Sequence, residues 1–216
     1  MHWLDRDVAD EPKCLAAYTH PKHTWDDVNP CKPAIRESLE KMQKGRCAYC
    51  EGPLYHDAHI EHFRRKNAAY FPQLTFSWTN LFLACESRDH CGHYKDRPTA
   101  PPYNPDDLLK PDEDKPDDFF FFHGSTGDVL VRGGVDPVAA TRAEETIRVF
   151  NLNQRGLRAA RRKRLERYLR EGGKALDEVL MWPESELVTE WINEEIHATQ
   201  KEHYSTTIRH FMESKS

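Results

Sequence analysis

No stretch of the 216 residues approaches the run of about eighteen apolar residues that a membrane-spanning helix needs. The N-terminus, Met1-His-Trp-Leu-Asp-Arg-Asp, also lacks the basic-then-apolar order of a secretion signal. These two absences lead us to expect a cytoplasmic protein without membrane contact. A basic excess is missing too. The 31 Lys and Arg residues face 36 Asp and Glu, for a net charge of −5. That argues against indiscriminate coating of nucleic acid but leaves room for a local basic groove, because binding follows the distribution of charge. Internal repeats and low-complexity tracts are absent. With 38% hydrophobic residues, the chain can bury a real core, as one domain or two small ones.

Cysteine is present in a telling arrangement. Four of the six cysteines cluster as Cys47-Ala-Tyr-Cys50 and Cys85 with Cys91. Two pairs of thiolates can hold a tetrahedral Zn²⁺ and pin distant stretches of chain together. The interval between Cys85 and Cys91 is wide, which leaves His90 as an alternative to Cys91 for the fourth ligand. Cys14 and Cys31 stand apart; in a reducing compartment they read as free thiols and small hydrophobes.

Along the chain, residues 1 to about 30 read as an extended arm anchored by Trp3, Leu15, Tyr18 and Trp25. Pro33 opens a short helix with Ile35, Leu39 and Met42 on one face, which Gly45 ends. Residues 58–63 read as a strand, 78–85 as an apolar run into the second cysteine pair, and Tyr94-Lys95-Asp96 as a short helix. The Pro- and acid-rich stretch 98–118 reads as a surface loop or linker. Residues 119–122 and 129–131 flank a Gly-containing turn and form a β-hairpin. Helices follow: a basic one over 157–169 that Gly172-Gly173 stops, one around 175–180, and one over 185–211 broken near Thr199. This divides the chain into 1–97, 98–118 and 119–216.

Between the cysteine pairs lies Ile60-Glu61-His62, an acid beside a His, which is the pairing needed for a metal ligand next to a general base. Asn80 and Cys91-Gly92-His93-Tyr94-Lys95 follow in order. This layout resembles the HNH nucleases. The resemblance implies an α+β fold: a ββα-metal core braced by structural zinc, with an N-terminal arm and helix, a β-hairpin and a C-terminal helical region. It also implies roles. Glu61 would bind a catalytic Mg²⁺ or Mn²⁺, His62 would deprotonate the attacking water, and Asn80 would hold the loop that aims His62. His93 would be a second ligand of the catalytic cation, and Lys95 would contact phosphate. Cys47, Cys50, Cys85 and Cys91 would hold the structural zinc. His59, two residues from Glu61 along a strand, shares the face of Glu61 and not that of His62, and is read as a supporting group.

Arg64-Arg65-Lys66 directly follows the candidate base and suits a phosphate backbone, with Arg64 and Arg65 as substrate contacts. A denser set runs from Arg155 to Arg170, opposite an apolar stripe of Leu157, Leu165, Tyr168 and Leu169, and marks a second candidate nucleic-acid or acidic-partner surface. Five segments carry a narrower likeness: Arg46-Cys-Ala-Tyr-Cys-Glu51, Ile60-Glu-His-Phe-Arg64, Trp78-Thr-Asn-Leu-Phe-Leu-Ala-Cys85, Cys91-Gly-His-Tyr-Lys-Asp96 and the later Glu145-Thr-Ile with Leu152-Asn153. They are similar to the PtuB-like HNH subunits of Septu and retron-associated anti-phage systems. That implies an ABC/SMC-like ATPase partner (PtuA-like), in retron versions a reverse transcriptase with its RNA–DNA product, and DNA or tRNA as substrate. The competing expectation is a non-catalytic zinc module that binds nucleic acid or a protein.

Overall fold

A computed structural model describes residues 1–215, with side chains at all of these except positions 173 and 174. Helix α1, Lys32–Gln43, carries Pro33 in its first turn and buries the stripe Ile35, Leu39 and Met42. It ends where Lys44 (φ 53) and Gly45 (φ +74) turn left-handed, a conformation that glycine adopts without steric cost. The chain then folds back on itself through the isolated pairing of Arg46 with Pro53. Gln43 is buried at the junction. Its amide donates to the Arg46 and Leu83 carbonyls (2.8 Å each) and accepts from Leu83 N (2.7 Å), so one side chain joins α1, the cysteine turn and the strand behind it.

Strands β1, His59–His62, and β2, Leu81–Ala84, pair antiparallel with Glu61 opposite Phe82 and His62 opposite Leu81. β2 is buried along its whole length. It leads through Cys85 into helix α2, Cys91–Lys95. Two strands followed by a helix therefore carry Glu61, His62, Cys91, His93 and Lys95, while Asn80 closes the 3-10 turn Trp78–Asn80 just before β2 and Cys85 follows β2 directly. In the segment 98–118, Leu108 and Leu109 are buried. Leu109 N donates to Thr146 Oγ1 (2.8 Å) and Arg142 pairs with Asp114 (2.8 Å), which holds the segment against a later helix. Helix α3, Pro116–Phe119, runs directly into the hairpin of β3, Phe120–Phe122, with β4, Val129–Val131.

Helix α4, Pro137–Val149, is capped by Asp136, whose carboxylate accepts from Val138 N and Ala139 N, the usual reward of an acidic N-cap. Helix α5 spans Arg155–Val179. The expected stop at Gly172-Gly173 is therefore corrected. A helical glycine costs about 1 kcal/mol, and α5 offsets this by burying Leu165, Tyr168 and Leu176 against Ile192, Ile208 and Met212. Those partners come from α6, Ser185–Thr199, and α7, Ser205–Glu213, so the break expected near Thr199 is present.

Two further expectations change. Cys14 and Cys31 are not free thiols but a disulfide, with Cα atoms 5.8 Å apart, a separation that permits the bond. The N-terminal arm is fixed by Met1, Leu4, Leu15 and Val28, all buried, while Trp3 is 40% exposed. Of the expected anchors Leu15 is buried and Tyr18 and Trp25 pack partly buried against the core, so only Trp3 is replaced, by Met1, Leu4 and Val28.

Asp117 joins α3 to α7 through Arg209 and His210. Burial raises its carboxyl, but His210 and Arg209 outweigh burial and hold it at about 2. An unfolded Asp titrates near pH ~3.9. The pairing thus stabilises the fold above that value, and the contribution is lost as the pH falls toward 2. Asp117→Asn is expected to lower Tm at neutral pH by a few degrees, with the gap to the unaltered protein closing as thermal melts are repeated at pH about 4, 3 and 2. A gap that stays constant across that range would locate the effect elsewhere.

Candidate functional site

The cysteine turn, the end of β2 and the start of α2 bring four sulfurs together, all within 4.8 Å of one another. Cys47 and Cys91 Sγ are 3.8 Å apart, and Cys50 and Cys85 Sγ 3.9 Å. A tetrahedron with Zn–S bonds of about 2.3 Å has edges of about 3.8 Å, while a disulfide needs about 2.0 Å. The spacing fits a zinc ion. Cys91 Sγ completes the set of four, and His90 Nδ1 lies beside it, 3.1 Å from Cys91 Sγ and 3.7 Å from Cys85 Sγ. Burial raises the Cys47 thiol, yet hydrogen bonds from Cys50, Cys85 and Cys91 outweigh it and bring it well below its ordinary value.

One strand turn away, a cleft of about 500 Å³ is lined by His59, Glu61, His62, Arg65, Lys66 and His93, among others. His62 is 3% exposed. Its Nε2 lies 3.0 Å from the Thr75 carbonyl, which can only accept, so Nε2 carries the proton and Nδ1 keeps its lone pair. The Trp25 ring meets the imidazole edge-on at 4.4 Å. Burial, and then the Lys66 charge, lowers the His62 pKa to about 3; the imidazole is neutral across the cellular pH range. Asn80 clamps the backbone two residues beyond. Its Oδ1 accepts from Arg64 N (2.7 Å) and its Nδ2 donates to the carbonyls of Arg64 (3.0 Å) and Leu74 (3.1 Å).

Glu61 is buried and already partnered. One oxygen is 2.9 Å from Lys95 Nζ and the other 3.1 Å from His59 Nε2. Burial alone would raise its carboxyl, but Lys95 and then His59 hold it low. His59 Nδ1 in turn meets Glu86 (2.9 Å), and Glu86 meets His93 Nε2 (2.9 Å). The two imidazole rings stack at 4.0 Å. Two carboxylates and two imidazoles thus form one chain along the cleft wall.

No family model matches the chain. Its sequence is 30% identical over 155 residues to Septu protein PtuB of Bacillus mycoides (strain KBAB4). The chain is related to PtuB-like proteins. The matched region is 60% of this chain and 50% of that protein, so the chain spans about half the length of the relative.

Among the expected site residues, Glu61, His62 and His93 line one cleft, and Asn80 sits directly behind it. Arg65 lines the cleft as well, held by Asp96 (2.8 Å). Arg64 points elsewhere, into a separate cavity where it pairs with Asp106. Lys95, expected on a phosphate, is 0% exposed. Its ammonium faces Glu61, Asp96 and the His62 carbonyl, because a short helix starting at Cys91 turns that position inward. Glu86 had carried no signal at all, since it joins the cluster across 27 residues from His59. Among the basic residues after Asn153, Arg161 is fully buried and donates to the Gly127 (3.1 Å) and Leu152 (2.8 Å) carbonyls, whereas Arg155, Arg162, Lys163, Arg167 and Arg170 are exposed.

The purified chain is expected to carry about one zinc per molecule, and its removal by a strong chelator to lower Tm by ten degrees or more, because a closed four-ligand site contributes folding free energy directly. Elemental analysis beside thermal melts checks both. A metal-free protein with the same melting curve would rule out a zinc brace.

Proposed function

We propose that this chain is a metal-dependent HNH endonuclease hydrolysing phosphodiester bonds in DNA or tRNA, working in the cytoplasm as the effector of an anti-phage defence complex with a PtuA-like ABC/SMC-type ATPase. A retron reverse transcriptase and its RNA–DNA product are further candidate members of that complex. The observation that carries the reading is the state of His62: neutral, fixed by the Thr75 carbonyl at Nε2, and lined up in a cationic cleft with its basic Nδ1 unspent. The ββα-metal core is supported by β1, β2 and α2 following one another, with Glu61 and His62 on β1 and His93 on α2. The similarity to Septu protein PtuB supports the defence role.

In this reading His62 Nδ1 takes the proton from a water that attacks phosphorus, and the approach of an anionic phosphate raises its basicity from the low value set by burial. Asn80 keeps the Arg64 backbone, and with it the end of β1, in place. Arg65 and Lys66 receive the phosphate backbone. Lys95 acts through Glu61 rather than on substrate. A divalent cation, Mg²⁺ or Mn²⁺, fits the carboxylates and imidazoles of the cleft and would supply positive charge to the phosphate oxygens and the leaving group. The structural zinc takes no part in the chemistry, since four thiolates leave it no open position.

The non-catalytic binding module draws on one observation: Glu61 is already satisfied by Lys95 and His59 without any cation. Cleavage separates the two. Plasmid DNA and total tRNA are incubated with the protein and Mg²⁺ or Mn²⁺, with and without the neighbouring ATPase. His62→Ala is expected to fold and bind zinc normally while losing about 100- to 10,000-fold in cleavage rate. Equal cleavage by the variant, or none by the unaltered protein under any of these conditions, would leave the binding module.

A further inference from the structure

Glu86, His59 and His93 meet without any role in the proton-transfer chemistry assigned above. The ligand-capable atoms of the three side chains lie within 4.8 Å of one another. His59 Nδ1 and His93 Nε2 are each 2.9 Å from one oxygen of the same Glu86 carboxylate. Ligands about 2.1 Å from a common ion sit about 3.0 Å apart along an octahedral edge and about 3.4 Å apart along a tetrahedral one. The cluster therefore has the dimensions of a metal's coordination sphere. It also has an open side, because His93 and Glu86 side chains are about 40% exposed (40% and 39%) toward solvent.

The arrangement behind these atoms is equally specific. A metal-bound His nearly always donates its other ring N–H to a carboxylate, a backbone carbonyl or water, which fixes its tautomer and orientation. His59 does this: Nδ1 faces Glu86 and Nε2 faces Glu61 at 3.1 Å. Glu61 is in turn held by the buried Lys95 (2.9 Å). Its negative charge is thereby neutralised from inside the protein, leaving little to gain from a cation. Gly92 makes the approach of α2 feasible. A Cβ there would lie 2.5 Å from Glu61 Oε2 and 3.0 Å from His59 Nε2, so only a residue without a side chain brings His93 alongside His59.

We propose that His59 Nδ1, the Glu86 carboxylate and His93 Nε2 form a three-ligand site for a first-row transition metal ion, with Glu61 behind it as the carboxylate that orients His59. This deepens the proposed nuclease reading and rests on it for the site's purpose, but not for its existence. Two imidazoles and one carboxylate favour first-row transition ions over Mg²⁺, Zn²⁺ more strongly than the harder Mn²⁺, because Mg²⁺ prefers oxygen ligands and its own waters. The assignment moves Glu61 off the metal and adds Glu86, a residue outside every motif.

The test is a titration of the zinc-loaded 216-residue chain with Mn²⁺, free ion being read by electron paramagnetic resonance and zinc content by elemental analysis. One Mn²⁺ is expected to bind, at least about tenfold more tightly than Mg²⁺ competes for it. Glu86→Gln and His93→Ala, both at exposed positions, are expected to weaken Mn²⁺ at least about tenfold while retaining zinc. Glu61→Gln, which keeps an acceptor for His59 Nε2, is expected to weaken it less than either. Absence of Mn²⁺ binding, or unchanged affinity in Glu86→Gln, would overturn the site. So would a Glu61→Gln variant that retains zinc and loses Mn²⁺ more completely than Glu86→Gln. The nuclease reading fails separately: Mn²⁺ bound as described without cleavage of either polymer sinks that reading and leaves the metal site standing.

Discussion

Four thiols within reach of one ion tie together three pieces of chain that share little else: the turn after α1, the end of β2 and the first residue of α2. Everything in the cleft depends on that junction. α2 is only five residues long and could not hold its own position in water, since isolated helices shorter than about a dozen residues are marginal. With Cys91 anchored, His93 and Lys95 are delivered to opposite ends of the Glu61–His59 pair. The Cys91 N–H is also held by the Phe150 carbonyl (2.9 Å), so the end of α4 braces the same point.

Burying Lys95 and Glu61 together carries a cost. Desolvating two charges is repaid only when geometry is good and remaining hydrogen-bonding groups are satisfied, and an apolar pair of similar volume is often as stable. Lys95 meets these conditions with Glu61, Asp96 and the His62 carbonyl within 3.1 Å. What the pair adds beyond stability is orientation: it connects the backbone of the candidate base to the carboxylate that holds His59. The same ammonium thus fixes the relative position of the two halves of the cleft.

The C-terminal helices reach the site's other side. Glu51, directly after the cysteine turn, is buried and accepts from Ser205 Oγ (2.8 Å) and Thr206 N (3.1 Å), with Arg46 beside it (3.5 Å). α7 therefore seats on the thiol cluster. Its His210 Nδ1 accepts from Phe122 N (2.9 Å), so the β-hairpin is held by the same helix. The basic residues of α5 fall into two sets on this scaffold. Arg161 is used inside the fold, while Arg162 and Lys163 next to it face solvent. Charge counted along a helix does not distinguish these uses.

Much of the local order was legible in the residues themselves. The α1 stripe, the Cys47–Cys50 turn, the strand bearing Glu61 and His62 and the hairpin of β3 and β4 all follow from short-range periodicity and turn chemistry, which depend on neighbours a few positions away. The convergence of the four cysteines could be expected because thiolates at such spacing have few other uses. The direction of Lys95, the separation of Arg64 from the cleft, the passage of α5 beyond Gly172 and the Cys14–Cys31 bond could not. Each depends on which surface a side chain meets after distant segments dock, and a glycine's intrinsic cost is small beside the apolar area that docking buries. Glu86 marks the limit most clearly. Its place between Cys85 and Cys91 does not by itself mark it as a ligand, yet antiparallel pairing of β1 with β2 carries the chain to a point where its carboxylate faces two imidazoles. By itself the sequence determined which groups this protein has for holding ions and moving protons; tertiary structure alone decided which of them face one another, because that is set by pairing register and by burial summed over the whole core.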